Sequence, residues 1–586
     1  MNFTTKPLAD RPPSRAAAWV FWCATAAALL YAFWASWRRE WVSDDAFISF
    51  RYAENLVRGL GLVYNPGERV EGYSNFLWTL WTAFGLWLGQ DPERWVALSG
   101  IACYIAALGV LAWNSWSTRA EATGLARWVP IAALLGAIHP DWQIFATGGL
   151  ETSLFALEAT LLYVILSRGH VGPGRAALAG FLLSLASMTR PDGVILTAAA
   201  GLYVLFTNLR RPRVIVAFVA AFLIAWVPYT AWRIAFFGDF FPNTYYAKSA
   251  MHAWYSQGAI YVALYFIRYW PLLLGPALLG LAWWFAREGA PAGSRSRRSV
   301  ALVALLALAY TAFVVRVGGD FMFARFLIPM TPLLLVLLEM GITRLGARAI
   351  TQSVLVGIAA AGILFTPYPL PADPLGTVRG IVFEPNYYPL EATNETRHKG
   401  LVLRRFFEGL PVRVAFFGGE ARLVYYARPT VAIECVTGLT DRKIARQPLA
   451  RRTRIGHEKL ATTDYVIGER RTHLSFFGAA GSVLHLDEVI PAVEIHLRGV
   501  RGRVLTWDPV LMDSLRARGA VIQDFPADLD RILDESSLVI QWEGPAIYDK
   551  LHRFYFGHVR DPKREALLVQ RIREVEAART NPASAP

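Results

Sequence analysis

Apolar residues fall in long runs along this chain, separated by short polar stretches of two alternating kinds. A helix needs about 20 mostly apolar residues to cross about 30 Å of hydrocarbon, and the first run, Ala16 to Trp37, meets that length. Further candidate spans lie near residues 94–116, 128–146, 152–167, 176–189, 192–207, 214–233, 259–286, 300–316, 326–340 and 349–366. The run "FLWTLWTAFGLWLG", Phe76 to Gly89, is too short to cross and carries Trp78, Trp81 and Trp87, so it is expected to lie along the membrane interface. Composition changes at the Pro-rich "TPYPLPADPLG", and beyond it no run reaches spanning length. There, β-type runs ("VRVAFF", "VAIECV", "TDYVIG", "SVLHLDEVI") alternate with helical ones ("PVLMDSLRARG", "PKREALLVQRIREVEAART"). The expectation is a mainly α integral-membrane domain over residues 1–366 with about eleven spans and interfacial helices. A C-terminal α/β or α+β soluble domain over residues 367–586 would follow it.

Charge assigns sides to the alternation. One set of loops is short and basic: Arg119 and Arg127, Arg168 and Arg175, Arg210, Arg211 and Arg213, Arg295, Arg297 and Arg298, and Arg344 with Arg348. The positive-inside rule makes these, and the N-terminus, cytoplasmic. Counting Phe76–Gly89 as a span would put Arg119 and Arg127 outside and reverse every later loop, which supports its interfacial placement. Eleven spans then leave the C-terminal domain extracytoplasmic, in a multi-pass protein of the cell inner (plasma) membrane. The first run exceeds the 7–15 apolar residues of a signal-peptide core and no small-residue cleavage site closes it, so it is read as an uncleaved span.

The composition agrees: 54% hydrophobic residues, 18% charged and a mean hydropathy of +0.33 mark a membrane protein. The net charge of +14 sits largely in loops between apolar runs rather than on one soluble face, which argues against a nucleic-acid partner. Cys23, Cys103 and Cys435 fall in unlike environments and form no disulfide framework.

Chemistry gathers in the other set of loops. Two adjacent carboxylates, Asp44 and Asp45, stand where the chain leaves the first span. Phe47–Leu60 projects as an amphipathic helix, with Ile48, Tyr52, Ala53, Leu56 and Leu60 opposite Arg51, Glu54, Asn55 and Arg58, and is expected to lie in the interface plane. Asp44 can cap this helix, which accounts for one carboxylate. The alternative is a general base, nucleophile or ion ligand beside a membrane-embedded substrate.

The motifs "DDAFISFRYAENLVRGLGLVYNPGERVEGYSNFLW" (Asp44 to Trp78), "ATGGLET" (Ala146 to Thr152), "TRPDG" (Thr189 to Gly193), "FFPNTYYAK" (Phe240 to Lys248) and "GGDFMFARFLIP" (Gly318 to Pro329) come in one order. Together they closely resemble the GT-C polyprenyl-phosphate-dependent glycosyltransferases, above all the terminal β-(1→2)-arabinofuranosyltransferases of mycobacterial cell-wall arabinan. The resemblance covers about residues 40–340 and is more specific for the superfamily than for the sugar. It implies a catalytic acid in the first outer loop, here Asp44 with Asp45 assisting, a polyprenyl-phosphate sugar donor such as decaprenyl-phosphate arabinose, and a glycan acceptor of arabinogalactan or lipoarabinomannan type.

Within that frame Arg51, Arg190, Lys248 and Arg325 are candidates for the donor phosphate, with headgroup contact as the bland alternative. Glu71, Asn75, Glu151, Asp192, Asn243 and Asp320 are candidates for sugar hydroxyls, and Tyr73, Tyr245 and Tyr246 for sugar faces; Asp192 with Arg190 and Asp320 with Arg325 can equally form structural ion pairs. His139 reads as a satisfied helix-end residue. A divalent metal against the donor phosphate is compatible with the resemblance, but no spacing resembles a zinc site. "FFGGEARLVYY" lacks a full nucleotide-binding fingerprint, and "RIGHEK" (Arg454 to Lys459) reads as surface or acceptor contact. The same fold with mannose or another sugar as cargo, on protein or lipid, is the second enzyme reading. A transporter of polyprenyl-linked sugars is disfavoured by the crowding of polar motifs at one face and by the lack of a repeat.

Overall fold

The computed structural model describes residues 15–119, 122, 124–285, 294–345, 348–371, 373, 376–416, 418–476, 493–534 and 538–580. Four of its helices are long and apolar enough to cross a membrane: Arg15–Arg38, Pro92–Thr118, Pro212–Phe237 and the Arg297–Val317 part of Ser294–Val317. Two bent pairs pass the same test together, Pro140–Thr147 with Thr152–Ser167 at 118° and Tyr255–Arg268 with Trp270–Ala282 at 95°. Pro212–Phe237 leaves apolar side chains such as Val216, Ile224 and Val227 uncovered by protein, which is stable only against lipid. The chain is a multi-pass membrane protein.

Two expected spans are not single crossings. Residues 128–146 break into Ile131–Ala137 and Pro140–Thr147, because His139 accepts the Trp142 amide (3.2 Å) and Pro140 starts a new helix. Residues 259–286 turn through a short 3-10 segment, Trp270–Leu273, opened by Pro271. Phe76–Trp87 is a 12-residue helix, about 18 Å long at 1.5 Å per residue and too short to span.

Among the described residues the C-terminal region carries six strands: β1 (Arg413–Phe416), β2 (Val431–Glu434), β3 (Leu474–Phe476), β4 (Val493–Leu497), β5 (Val500–Val504) and β6 (Val521–Ile522). They form one mixed sheet of order β2-β1-β3-β5-β4-β6, parallel at β2-β1-β3 and antiparallel elsewhere. "TDYVIG" is not a strand. Asp464–Glu469 is a π-helical turn that buries Tyr465, Val466 and Ile467 together against Ile433 and Cys435, whereas a strand would send neighbours to opposite faces. "SVLHLDEVI" lies outside the described residues.

The amphipathic helix is Ala46–Val57. It does not present its polar face to water or lipid headgroups. Arg51 donates to the carbonyls of Tyr64 (2.8 Å) and Pro429 (2.9 Å), and Glu54 pairs with Arg428. The C-terminal region therefore roofs the helix, and ten of its residues are buried. One continuous apolar core runs from the bundle through Phe47 and Phe50 to Phe416, Val424, Tyr425 and Tyr426 of the C-terminal region.

Candidate active site

The turn at Asp44–Asp45 is shaped by the "TGGLE" loop beneath it. Ser43 donates its amide to the Gly148 carbonyl (3.1 Å). Gly149 has φ +79°, and a β-carbon there would stand 2.8–2.9 Å from Val42 Cγ1 and Ala46 Cβ, so glycine is required on both counts.

The two carboxylates diverge. Asp44 accepts the amides of Ala421 (to Oδ2) and Arg422 (to Oδ1), both at 2.9 Å, at the start of the C-terminal helix Ala421–Ala427. Arg422 in turn donates to the Val42 carbonyl (2.8 Å) and pairs with Glu93 (3.4 Å). Burial raises the Asp44 carboxyl to about 6, against the two amide bonds, which lower it. Asp45 occupies the N-cap position of Ala46–Val57, yet its side chain makes no capping hydrogen bond. It is half-exposed.

Around Asp45 the structure gathers groups from three other segments. Arg325 and Asp320 come from "GGDFMFAR", Glu384 and Tyr388 from the segment after the last bundle helix, and His457 with Arg454 from "RIGHEK"; the charge of Asp45 acts on Arg325, Glu384, Tyr388 and His457. Arg454 lies over the Phe321 ring (4.6 Å), and His457 meets the same ring edge-on (5.2 Å). Burial holds His457 down to about 4, so its ring is neutral at pH 7. The Lys248 stem passes within 3.6–3.9 Å of where a Gly456 β-carbon would stand. Among the described residues the Lys248 ammonium has no hydrogen bond or ion pair, and the Nε atoms of Arg325 and Arg454 are buried without a partner.

Next to these groups the predicted polar residues form one buried network. Arg190 pairs with Glu151 (2.8 Å) and Asp192 (2.9 Å); Arg325 pairs with Asp320 (3.3 Å) and Glu151 (3.7 Å). Asn75 donates to Glu151 (2.9 Å) and accepts from Ser49 (2.9 Å), and Tyr310 donates to Asp192 (2.6 Å). The ion pairs foreseen for Asp192 and Asp320 are thus present, and Arg190 has both its carboxylate partners inside the protein.

Other candidates lie elsewhere. Arg51 is held on backbone carbonyls, as described above. Glu71 forms a buried pair with Arg233 (2.6 Å), and burial raises its carboxyl to about 7 against that cation. Asn243 donates to the carbonyls of Gly438 (2.9 Å) and Leu439 (2.8 Å), locking the C-terminal region to the bundle. Tyr73 packs edge-on to Tyr52 (4.9 Å), and Tyr245 stacks on Phe241 (4.3 Å). His139 is the satisfied helix cap described above. Sequence reasoning missed Glu384 and Tyr388 and read Arg454 and His457 as surface or acceptor contact; these lie in connecting segments with no periodicity to flag them. Among the described residues no three His, Cys, Asp or Glu side chains are grouped to hold a metal ion.

No family model matches the chain. Over 83% of its length it superposes on 98% of ArnT from Cupriavidus metallidurans bound to undecaprenyl phosphate, with a TM-score of 0.52 at 13% identity. The apo form of that protein gives 0.53 at 14% identity over 84% of the chain. The chain has the GT-C fold. In sequence it is similar to the terminal β-(1→2)-arabinofuranosyltransferase of Mycobacterium tuberculosis, 32% identical over 350 residues, which are 54% of each chain. The Corynebacterium glutamicum protein of the same name is 30% identical over 354 residues, 53% of this chain and 49% of that one. The chain thus matches about half the length of these curated relatives.

Proposed function

We propose that this GT-C protein is an arabinofuranosyltransferase that takes the sugar from a polyprenyl-phosphate donor, decaprenyl-phosphate arabinose, and places it on a hydroxyl of an arabinan-type cell-wall glycan. The relatives' names support the sugar. The fold shared with a protein bound to undecaprenyl phosphate supports a lipid-phosphate donor. The basic loops at the opposite end from Asp45 support an extracytoplasmic site.

One observation carries the chemical reading: Asp44 is spent on two backbone amides, while Asp45 is uncapped and half-buried in a cluster that includes the Lys248 and Arg454 cations. Asp45 then acts as the base. As the acceptor oxygen bonds to the anomeric carbon, its proton passes to Asp45, and the bond from that carbon to the phosphate oxygen breaks with its electron pair going to phosphate. Lys248 and Arg454, which have no carboxylate partner among the described residues, hold that phosphate with Arg325 in support. Charge-assisted hydrogen bonds of this kind stabilise charge where it develops. His457, neutral at pH 7, packs on Phe321 and completes the wall. The Arg190 network supports the floor.

Transfer assays with purified polyprenyl-phosphate arabinose and polyprenyl-phosphate mannose test the donor. Turnover is expected with the arabinose donor. Transfer from the mannose donor alone would overturn the sugar assignment and leave the fold-level reading in place.

A further inference from the structure

Glu384 is a second carboxyl within reach of the Asp45 charge, brought there by a different route. Val382 pairs with the "GGDF" loop, its amide donating to the Phe321 carbonyl (2.8 Å) and its carbonyl accepting from Phe323 (3.0 Å). Two residues later a 3-10 turn, Glu384–Tyr387, opens with Glu384 itself. The short bridge therefore fixes Glu384 against the loop that carries Asp320 and Arg325. The side chain is only 4% exposed, and among the described residues its Oε2 is buried without a hydrogen-bond partner.

A buried carboxylate oxygen with no donor is costly, and most costly when charged. No ion pair relieves it: Arg454 is the one cation acting strongly on it, while Asp45, Asp320 and Asp44 all oppose its ionisation. The Tyr387 and Tyr388 phenols on its own segment, both of which its charge acts on, complete the polar surroundings. An ionised Glu384 would place a second negative charge beside Asp45 and repel a departing phosphate. A protonated one carries an O–H and adds no charge.

We propose that the Glu384 carboxyl donates a hydrogen bond to the phosphate oxygen that leaves the anomeric carbon. The inference rests on the reading of Asp45 as base and of the Lys248–Arg454 side as the phosphate site. During transfer Glu384 keeps its proton. The acceptor's proton goes to Asp45, the electron pair of the broken bond goes to the phosphate oxygen, and the Glu384 hydrogen bond strengthens as charge builds there. Burial, then the charge of Asp45, pushes the Glu384 carboxyl up to about 8. The donor form is thus present at pH 7 and lost as pH rises through that value.

The test measures kcat for the full-length protein from pH 6 to 10 with the arabinose donor, in wild type, Glu384→Gln, Glu384→Ala, Glu384→Asp and Asp45→Asn. Wild-type turnover is expected to fall above about pH 8. Glutamine keeps a neutral N–H donor, so that variant should stay within about fivefold at pH 7 and lose the alkaline fall, while alanine should lose about 10²-fold, as for removal of a transition-state donor. Aspartate should be slower but still show the alkaline fall, which keeps the proposal testable if the glutamine variant folds poorly. Equal losses in the glutamine and alanine variants, or an alkaline fall that persists in glutamine, would overturn the proposal. Undiminished turnover in Asp45→Asn would instead overturn the reading beneath it.

Discussion

A carboxylate whose two oxygens each accept a backbone N–H has little left to offer a substrate, and this separates neighbours in sequence that look alike. Asp44 caps a helix 377 residues away in the chain, so its removal should act on stability. The sign with pH follows from its raised value. Stability from Asp44 is full below the ordinary value of 3.8 and is lost as pH rises through about 6. The melting-temperature gap between wild type and Asp44→Asn is therefore expected to be wider at pH 5 than at pH 7, checked by thermal unfolding in detergent. The "DD" pair is easily seen in sequence. Which member is free was not, because the amides that occupy Asp44 belong to a segment no local pattern links to the first loop.

At the scale of elements, the "GGDF" loop places Asp320, Phe321 and the strand pairing that delivers Glu384. Gly318 and Gly319 have φ of +93° and +78°, and a β-carbon on Gly319 would stand 2.4 Å from Tyr261 Cγ. Gly319→Ala meets both backbone strain, about 1 kcal/mol or more, and a clash that rigid packing cannot absorb. Loss of at least about 2 kcal/mol of stability is expected, together with loss of transfer, measured by thermal unfolding and turnover. Arg190→Ala would leave Glu151 and Asp192 buried without their shared cation, and breaking such a pair costs about 3–5 kcal/mol. Arg190→Ala should therefore fold poorly, whereas a residue used only for donor phosphate would raise KM and leave folding intact. Helix positions were legible from apolar length, and the breaks at Pro140 and Pro271 were marked by prolines within apolar runs. The amphipathic pattern of Ala46–Val57 was also visible, but its polar face could not be assigned to protein rather than headgroup, since both satisfy the same side chains.

For the whole molecule, the C-terminal region contributes groups around Asp45 rather than sitting apart from it. Asp44 on Ala421 and Arg422, Asn243 on Gly438 and Leu439, and Glu68 on Arg470 (2.7 Å) are separate bolts between the halves. Loosening one should be felt at another if the halves open together. Asn243→Ala is expected to speed hydrogen exchange at the Ala421 and Arg422 amides, read by mass spectrometry; unchanged protection there would mean the bolts act independently. The composition shift near residue 366 raised the expectation of a second region. Its role in the site was hidden, because Glu384, Arg454 and His457 reach Asp45 only through tertiary contact. The most direct measurement of the account is single-turnover transfer from polyprenyl-phosphate arabinose at pH 7 by Asp45→Asn and Asp44→Asn. Loss of a base predicts a drop of about 10²–10⁴-fold for Asp45→Asn at unchanged melting temperature, with Asp44→Asn retaining most of its rate when folded. Full activity in Asp45→Asn, with activity abolished in a well-folded Asp44→Asn, would contradict it.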